Sequence, residues 1–376
     1  MSAITPIVMP KWGLSMKEGT VNEWLVEEGT EITVGMPILD VETDKIANAV
    51  EAPDAGLLRR RVASAGDTLP VKALLGVLAP SDVSDADIDA YVSSYETPPD
   101  EEGEGDEAAS AYHFVDVDGI RVRYAARGGD DASRAAVLFI HGFGGDLDNW
   151  LFNLDALAEK HRVFALDLPG HGQSTPKVPG TTLADLAGFV AKFMDAVQLE
   201  KAHLVGHSMG GGIAAQLAVD QPDRVQSVAL ISPAGLGDEV NNAYTEGFVT
   251  AESRRELKPV VELLFANPEL VSRQMLDDLL KYKRLDGVSE ALSALNGGLF
   301  AGGRQSAQPG GGLAASGKPV LVIWGAKDQI IPAAHAKNAP EGATVRVFDD
   351  AGHMSQMEKA NDVNNLLKEH IGGRGA

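Results

Sequence analysis

The chain of 376 residues contains no cysteine, which excludes disulfides, thiolate metal ligands and a cysteine nucleophile. A reducing compartment fits that composition. No metal site is expected. Basic residues are scarce: 32 Lys and Arg against 54 Asp and Glu leave a formal charge of −22. That sign argues against nucleic acid and anionic membrane as partners. No apolar run approaches the length of a membrane span, and the N-terminus lacks a basic stretch followed by an apolar one. A cytoplasmic protein is therefore expected. Between residues 81 and 110 there is no Lys or Arg at all, while eleven acidic residues supply half of the net charge.

What is present is enough for two domains. Hydrophobic residues make up 44% of the chain, which can fill sizeable cores. Residues 1–80 repeat internally at a shift of 37 positions, aligning Gly19 with Gly56, Gly29 with Gly66, Ile32 with Leu69, Val34 with Val71 and Ile38 with Leu75. Each half reads as short strands with glycine turns. Neither half can bury a face alone, so the two are expected to pack into a small, flattened β-sandwich. Lys45 falls between the halves, at a turn beside Asp44.

Residues 81–111 read as an acidic, self-repelling flexible linker, with Pro98-Pro99 and Gly103-Glu104-Gly105 inside it and a transient helical turn open to Asp85 to Ser94. From Tyr112 to residue 373 the pattern changes. Short apolar runs at 137–140, 163–166, 203–205, 228–231 and 320–324 are separated by helical patterns, which predicts a parallel sheet covered on both faces. Leu183, Leu186, Val190, Phe193, Met194 and Val197 mark one helix face, with Thr181 or Thr182 as its cap. Residues 240–312 interrupt the rhythm as a mainly helical cap; the glycine- and proline-broken stretch from Gly297 to Gly312 is expected to be a mobile loop.

Gly206-His207-Ser208-Met209-Gly210 stands between a strand and a helix. That context predicts a strained turn which exposes the Ser208 hydroxyl as a nucleophile. A serine needs a base, and the base an orienting acid. Asp328 after the strand 320–324 and His353 after the strand 345–348 follow in the order serine, acid, histidine. Asp167, Asp349 and Asp350 are rivals for the acid. The amides of Met209 and Phe143 are candidates for the oxyanion hole, with His141 bracing the Phe143 loop and His171 and His207 structural. His141-Gly142-Phe143-Gly144-Gly145, the 166–174 segment, the Ser208 motif, Trp324-Gly325-Ala326-Lys327-Asp328 and Ala351-Gly352-His353-Met354 together resemble the α/β-hydrolase superfamily. Ser208 stands where haloalkane dehalogenases and epoxide hydrolases of that fold carry aspartate, which disfavours those activities.

Residues 1–80 resemble the lipoyl domains of 2-oxo acid dehydrogenase complexes, through Met9-Pro10, Gly13-Leu14-Ser15, Glu18-Gly19, Glu42-Thr43-Asp44-Lys45 and Gly66-Asp67. Asp44 and Ile46 occupy places where biotinyl domains have methionine, so lipoate on Lys45 is the implied cofactor. Joined, the two regions resemble the acetyltransferase components of acetoin dehydrogenase complexes. The resemblance implies transfer of an acetyl group from a lipoyl thioester to coenzyme A through an acyl-serine. It implies as partners a thiamine-diphosphate-dependent acetoin dehydrogenase component, a dihydrolipoamide dehydrogenase, and a lipoate ligase or lipoyl transferase. The His-x-x-x-Asp-Gly motif of other lipoyl acyltransferases and their small subunit-binding domain are missing. For the coenzyme A phosphates the sequence offers only Lys281, Lys283 and Arg284, read more readily as a solvated helix face. A lipoyl-bearing serine hydrolase (a thioesterase or C–C hydrolase) and a carrier with an inactive hydrolase-fold scaffold are the alternative functions.

Overall fold

A computed structural model describes residues 4–10, 16–43, 47–98 and 112–372. The chain divides into two compact units.

The N-terminal unit is all-β with one helix. Its strands are β1 (Thr5–Val8), β2 (Glu18–Trp24), β3 (Glu31–Ile32), β4 (Pro37–Glu42), β5 (Ala47–Glu51), β6 (Gly56–Arg61), β7 (Thr68–Pro70) and β8 (Leu74–Leu78). They form two antiparallel four-stranded sheets, in the orders β1-β8-β6-β3 and β5-β4-β2-β7. The repeat explains this order. β2, β3 and β4 of one half correspond to β6, β7 and β8 of the other, and the short third strands are exchanged: β3 pairs with β6, and β7 with β2. The exchange buries a shared core around Ile7, Val21, Ile38, Leu39, Val41, Leu58 and Leu75, which neither half could close alone.

The acidic segment departs from the linker reading. Residues Asp85–Ser94 form a helix, α1, N-capped by Ser84. Ile88 is fully buried against Leu74, Val77 and Ala79, with Tyr91, Val92 and Tyr95 beside it. Arg59 pairs with Asp85 at 2.8 Å and Arg60 with Asp89 at 2.5 Å. Tyr95 Oη donates to the Lys72 carbonyl at 2.9 Å. Acidic charge predicted self-repulsion, but the arginines of β6 neutralise part of it, and positions 88, 91, 92 and 95 make one apolar helix stripe. The folded unit thus runs past residue 80 to Tyr95. The rest of the linker reading, 99–111, lies outside the described residues.

The second unit is built on an eight-stranded sheet in the order β16-β15-β14-β13-β11-β12-β10-β9. Its strands are β9 (Tyr112–Val117), β10 (Ile120–Arg127), β11 (Ala136–Ile140), β12 (Arg162–Leu166), β13 (Ala202–His207), β14 (Val225–Ile231), β15 (Val320–Gly325) and β16 (Thr344–Phe348). Six are parallel, as the continuous apolar runs predict; β9 and β10 add an antiparallel hairpin at one edge. The helix α2 (Leu183–Ala196) turns its predicted face inward and starts at Thr182, whose hydroxyl and Asp185 form a reciprocal capping box. The helix α3 (Met209–Asp220) follows β13 directly.

Between β14 and β15 the chain forms α4 (Asn242–Thr250), α5 (Arg254–Glu262), α6 (Arg273–Lys283) and α7 (Val288–Leu299). The return to the sheet, expected as a mobile loop, is hydrogen-bonded to the sheet side through Gln305. Gln305 is buried, with Oε1 accepting from Gly235 N at 2.6 Å and Nε2 donating to the Glu239 carbonyl at 2.8 Å. One amide side chain thus supplies what regular structure would otherwise give a glycine-rich segment. Among the described residues, no helix is long and apolar enough to cross a membrane.

Candidate active site

β13 is central in the sheet, so the turn after it is held from all sides. Ser208 has φ 53° and ψ −119°, a left-handed conformation costly for a residue with a Cβ. Its surroundings over-determine it. Ser208 N donates to the Ile231 carbonyl at 3.0 Å, and its own carbonyl accepts from Gly211, Gly212 and Ala234 at 2.9, 3.2 and 2.9 Å. The flanking glycines are required by close backbone approach. A Cβ on Gly206 would lie 2.3 Å from the Gly210 carbonyl oxygen, and one on Gly210 would lie 2.1 Å from that of Ile140. The result is a serine at the mouth of a strand with the first turn of α3 behind it, where the helix dipole favours negative charge.

The acid and the base meet as their chain order predicts. His353 Nδ1–H donates to Asp328 Oδ2 at 2.8 Å, and both side chains are buried. Asp328 is itself fixed. Its Oδ1 accepts from Ile330 N and Ile331 N at 2.8 and 3.0 Å, and Oδ2 also accepts from Trp324 Nε1 at 3.0 Å. His353 is tied to the serine turn through His207, whose Nε2–H donates to the His353 carbonyl at 3.0 Å and whose ring lies 4.6 Å from the His353 ring. The three rivals for the acid are placed elsewhere. Asp167 is buried on Arg123 at 2.6 Å and accepts from Leu147 N and Gln173 N. Asp350 is exposed and pairs with Lys359, and Asp349 is exposed beside it.

The loop after β11 lies against Ser208: a Cβ on Gly142 would sit 2.9 Å from Ser208 Cβ. Its peptide groups are individually pinned. His141 Nδ1–H donates to the Gly142 carbonyl at 2.8 Å, while Nε2 accepts from Leu168 N at 2.9 Å. His171 Nε2 accepts from Gly144 N at 3.1 Å. Burial pushes His141 down to about 4 and His171 to about 3, so both are neutral braces with fixed tautomers. Burial, and His353 next to it, also hold His207 well below the usual histidine range. In a trans peptide the C=O and N–H point opposite ways. Fixing the Gly142 oxygen on His141 therefore turns the Phe143 N–H away from that brace. Among the described residues no backbone acceptor takes the Phe143 N–H. Met209, at the first position of α3, has no intrahelical acceptor for its amide either. The two proposed oxyanion donors are both available.

Lys45 lies outside the described residues. The strands on either side are described: β4 pairs antiparallel with β5, with Glu42 opposite Ala47. The phosphate candidates fare less well. Lys283 is buried and its Nζ donates to the carbonyls of Phe248, Val249 and Ala251, capping the C-terminal end of α4. Lys281 pairs with Asp278 at 3.0 Å. Arg284 lines a groove of about 520 Å³ together with Glu252, Asp286 and Glu290, a setting that repels phosphate. Sequence reasoning did not foresee three contacts that shape the site: Trp324 on Asp328, His207 on the His353 backbone, and Tyr244 Oη donating to the Phe143 carbonyl at 3.0 Å. For Trp324 a signal existed in its spacing of four from Asp328; for Tyr244 there was none.

Comparison with known proteins covers both units. Residues 135–360 match the family model of the alpha/beta hydrolase fold, and residues 5–78 match that of biotin-requiring enzymes. A dihydrolipoyllysine-residue acetyltransferase component of acetoin cleaving system from Cupriavidus necator is 76% identical over 370 residues, covering 98% of each chain. A protein of the same description from Pseudomonas putida is 48% identical over 368 residues, again covering 98% of each. Among solved structures, a meta-cleavage product hydrolase from Pseudomonas fluorescens matches with a TM-score of 0.62 at 23% identity. It covers 70% of this chain and 97% of that one, and shows the fold alone.

Proposed function

We propose a mechanism for a chain that belongs to the α/β-hydrolase fold family and, along its whole length, to the dihydrolipoyllysine-residue acetyltransferase components of acetoin cleaving systems. It is an acyltransferase that moves an acetyl group from a lipoyl-lysine thioester to coenzyme A. Lipoate on Lys45 supplies the thiol that presents the acetyl group. His353, oriented by Asp328, takes the Ser208 proton. Ser208 Oγ attacks the thioester carbonyl, and the amides of Phe143 and Met209 hold the oxyanion, each worth about 3–4 kcal/mol on the precedent of serine proteases. The C–S bond breaks, and His353 returns the proton to the departing sulfur. The coenzyme A thiol then gives its proton to His353 and attacks the acyl-serine, and Ser208 recovers its hydroxyl as acetyl-CoA forms. Water is the competing acceptor at far higher concentration, and the helices α4 to α7 are the means of excluding it.

The observation that carries this mechanism is the buried Asp328–His353 pair tied to the strained Ser208 turn, with two amides unspent beside it. As a component of an acetoin cleaving system the chain works in a multienzyme complex. Its partners are a thiamine-diphosphate-dependent acetoin dehydrogenase component, which loads the lipoyl arm, and a dihydrolipoamide dehydrogenase, which reoxidises it. A lipoate ligase or lipoyl transferase modifies Lys45. The setting is the cytoplasm, where coenzyme A is available. The decisive experiment supplies free acetyl-dihydrolipoamide to the purified protein at saturating coenzyme A. Acetyl-CoA with little acetate is expected, and none from Ser208→Ala. Acetate without acetyl-CoA would replace the transferase by a hydrolase.

A further inference from the structure

Tyr244 reaches the oxyanion loop from the cap. It sits on α4, is 4% exposed, and donates its hydroxyl to the Phe143 carbonyl at 3.0 Å. Burial holds the phenol well above its ordinary range, so it is a donor throughout the working pH range. One turn later the same helix presents Phe248. A Cβ on Gly144 would lie 2.6 Å from that ring, and Phe248 meets the Phe143 ring edge-on at 6.1 Å. Lys283 ties off the end of this helix from α6, so Tyr244 and Phe248 stand on a fixed rod.

The peptide groups give this contact its meaning. The Phe143–Gly144 peptide is held at both ends, its oxygen by Tyr244 and its N–H by His171. The preceding Gly142–Phe143 peptide is held by His141 at its oxygen. The Phe143 N–H is what remains. Two of these anchors come from the sheet domain's own loops; the third comes from the cap. We infer that Tyr244 is a positioning residue for acyl transfer: seated on the cap, it fixes the peptide that follows Phe143 and so aims the Phe143 N–H at the developing oxyanion. The inference rests on the reading of Ser208 as nucleophile and Phe143 as oxyanion donor. It makes the oxyanion hole complete only when α4 is seated, so an opened cap leaves the nucleophile in place and the hole unformed.

The test uses the full-length lipoylated protein with free acetyl-dihydrolipoamide and coenzyme A. Tyr244→Phe removes one oxygen and keeps the ring. Misaiming a donor rather than deleting it should lower kcat by about 10- to 100-fold, with KM for the acyl donor within about twofold. A trifluoromethyl ketone, which adds to a serine as a tetrahedral oxyanion, should bind more weakly by a similar factor. The planar methyl ketone of the same skeleton should bind as in the wild type. Thr250→Val is the control: it removes another cap hydroxyl, an exposed one that donates to the Glu246 carbonyl within α4, and should retain kcat and ketone discrimination. Unchanged kcat and trifluoroketone affinity in Tyr244→Phe would overturn the inference, as would equal weakening of both ketones, the mark of a general packing defect. Ser208→Ala is run in parallel. Turnover surviving in that variant would remove the underlying acyl-serine reading; lost turnover there with a normal Tyr244→Phe would remove only the role of Tyr244.

Discussion

Replacing Asp328 by Asn should inactivate the enzyme while leaving it folded, and the hydrogen bonds show why. The carboxylate accepts four donors: two backbone amides at Oδ1, and Trp324 Nε1 and His353 Nδ1 at Oδ2. An amide has one oxygen and one NH₂. If the NH₂ replaced Oδ1 it would face the Ile330 and Ile331 amides, which cannot turn away. The NH₂ therefore takes the Oδ2 place, where only the His353 ring can adapt. His353 does so by moving its proton to Nε2, leaving Nδ1 to accept. That tautomer has no lone pair for the Ser208 proton. The loss expected from a mis-set triad histidine is about 10⁴ in kcat, or about 5.5 kcal/mol of transition-state stabilisation. Stability should fall by much less, about 1 kcal/mol, because Trp324 Nε1–H, left facing the NH₂, keeps its second acceptor in the Ile331 carbonyl at 3.1 Å. Single-turnover transfer from acetyl-dihydrolipoamide to coenzyme A, alongside thermal unfolding of the same sample, separates the two effects. A folded Asp328→Asn protein within tenfold of wild-type kcat would refute the reasoning.

Lys45→Ala should lack the lipoyl mass found on the wild type by intact-mass spectrometry, yet still transfer acetyl from free acetyl-dihydrolipoamide; loss of that transfer as well would mean that the lysine does more than carry the arm. Ile88→Ala should cost about 2–5 kcal/mol, because Ile88 is fully buried under α1. Hydrogen exchange should then rise in residues 74–78 and 85–94 together, and unchanged protection would show that α1 is not docked as described. Stability of the second unit should drop on acidification. Burial lowers His141 to about 4, His171 to about 3, His203 to about 4, and His207 well below the usual value. A histidine depressed in the folded state contributes stability that is complete above its unfolded pKa of about 6.5 and is lost as pH falls toward its folded value. Asp167 and Glu358, raised by burial, work in the opposite direction but are outnumbered by the four histidines. Denaturant unfolding at pH 7 and pH 5 should show the loss, and equal or greater stability at pH 5 would contradict it.

The parts of this molecule that could be read from sequence are those governed by local rules. A serine between glycines after an apolar strand has few ways to fold, and the hydrogen-bonded neighbours Asp328 and His353 could be paired by chain order because each follows a strand of the same parallel sheet. The internal repeat marked the two-sheet unit because third strands must be exchanged to close its core. The misreadings share one cause, which is that partners distant in sequence changed the meaning of a local pattern. The acidic residues between 81 and 95 suggested the start of an extended tether until Arg59 and Arg60 met Asp85 and Asp89. Glycines 297 to 312 suggested mobility until Gln305 bonded to Gly235 and Glu239. Lys283, read more readily as part of a solvated helix face than as a phosphate contact, is a buried helix cap.

Tyr244 is the extreme case, since it contacts a loop 101 residues away and nothing in Asn242–Thr250 announces that. This has a consequence for reading other chains of the same architecture. On the proposed mechanism the motif around Ser208 supplies the nucleophile, but the aim of the opposing amide depends on what the cap presents at one position. A relative with the whole nucleophile motif and a residue unable to donate at the place of Tyr244 should still react at its serine with electrophiles that need no oxyanion hole, yet turn over thioesters slowly. The combination of labelling without turnover in Tyr244→Phe would locate the defect in the hole rather than in the serine.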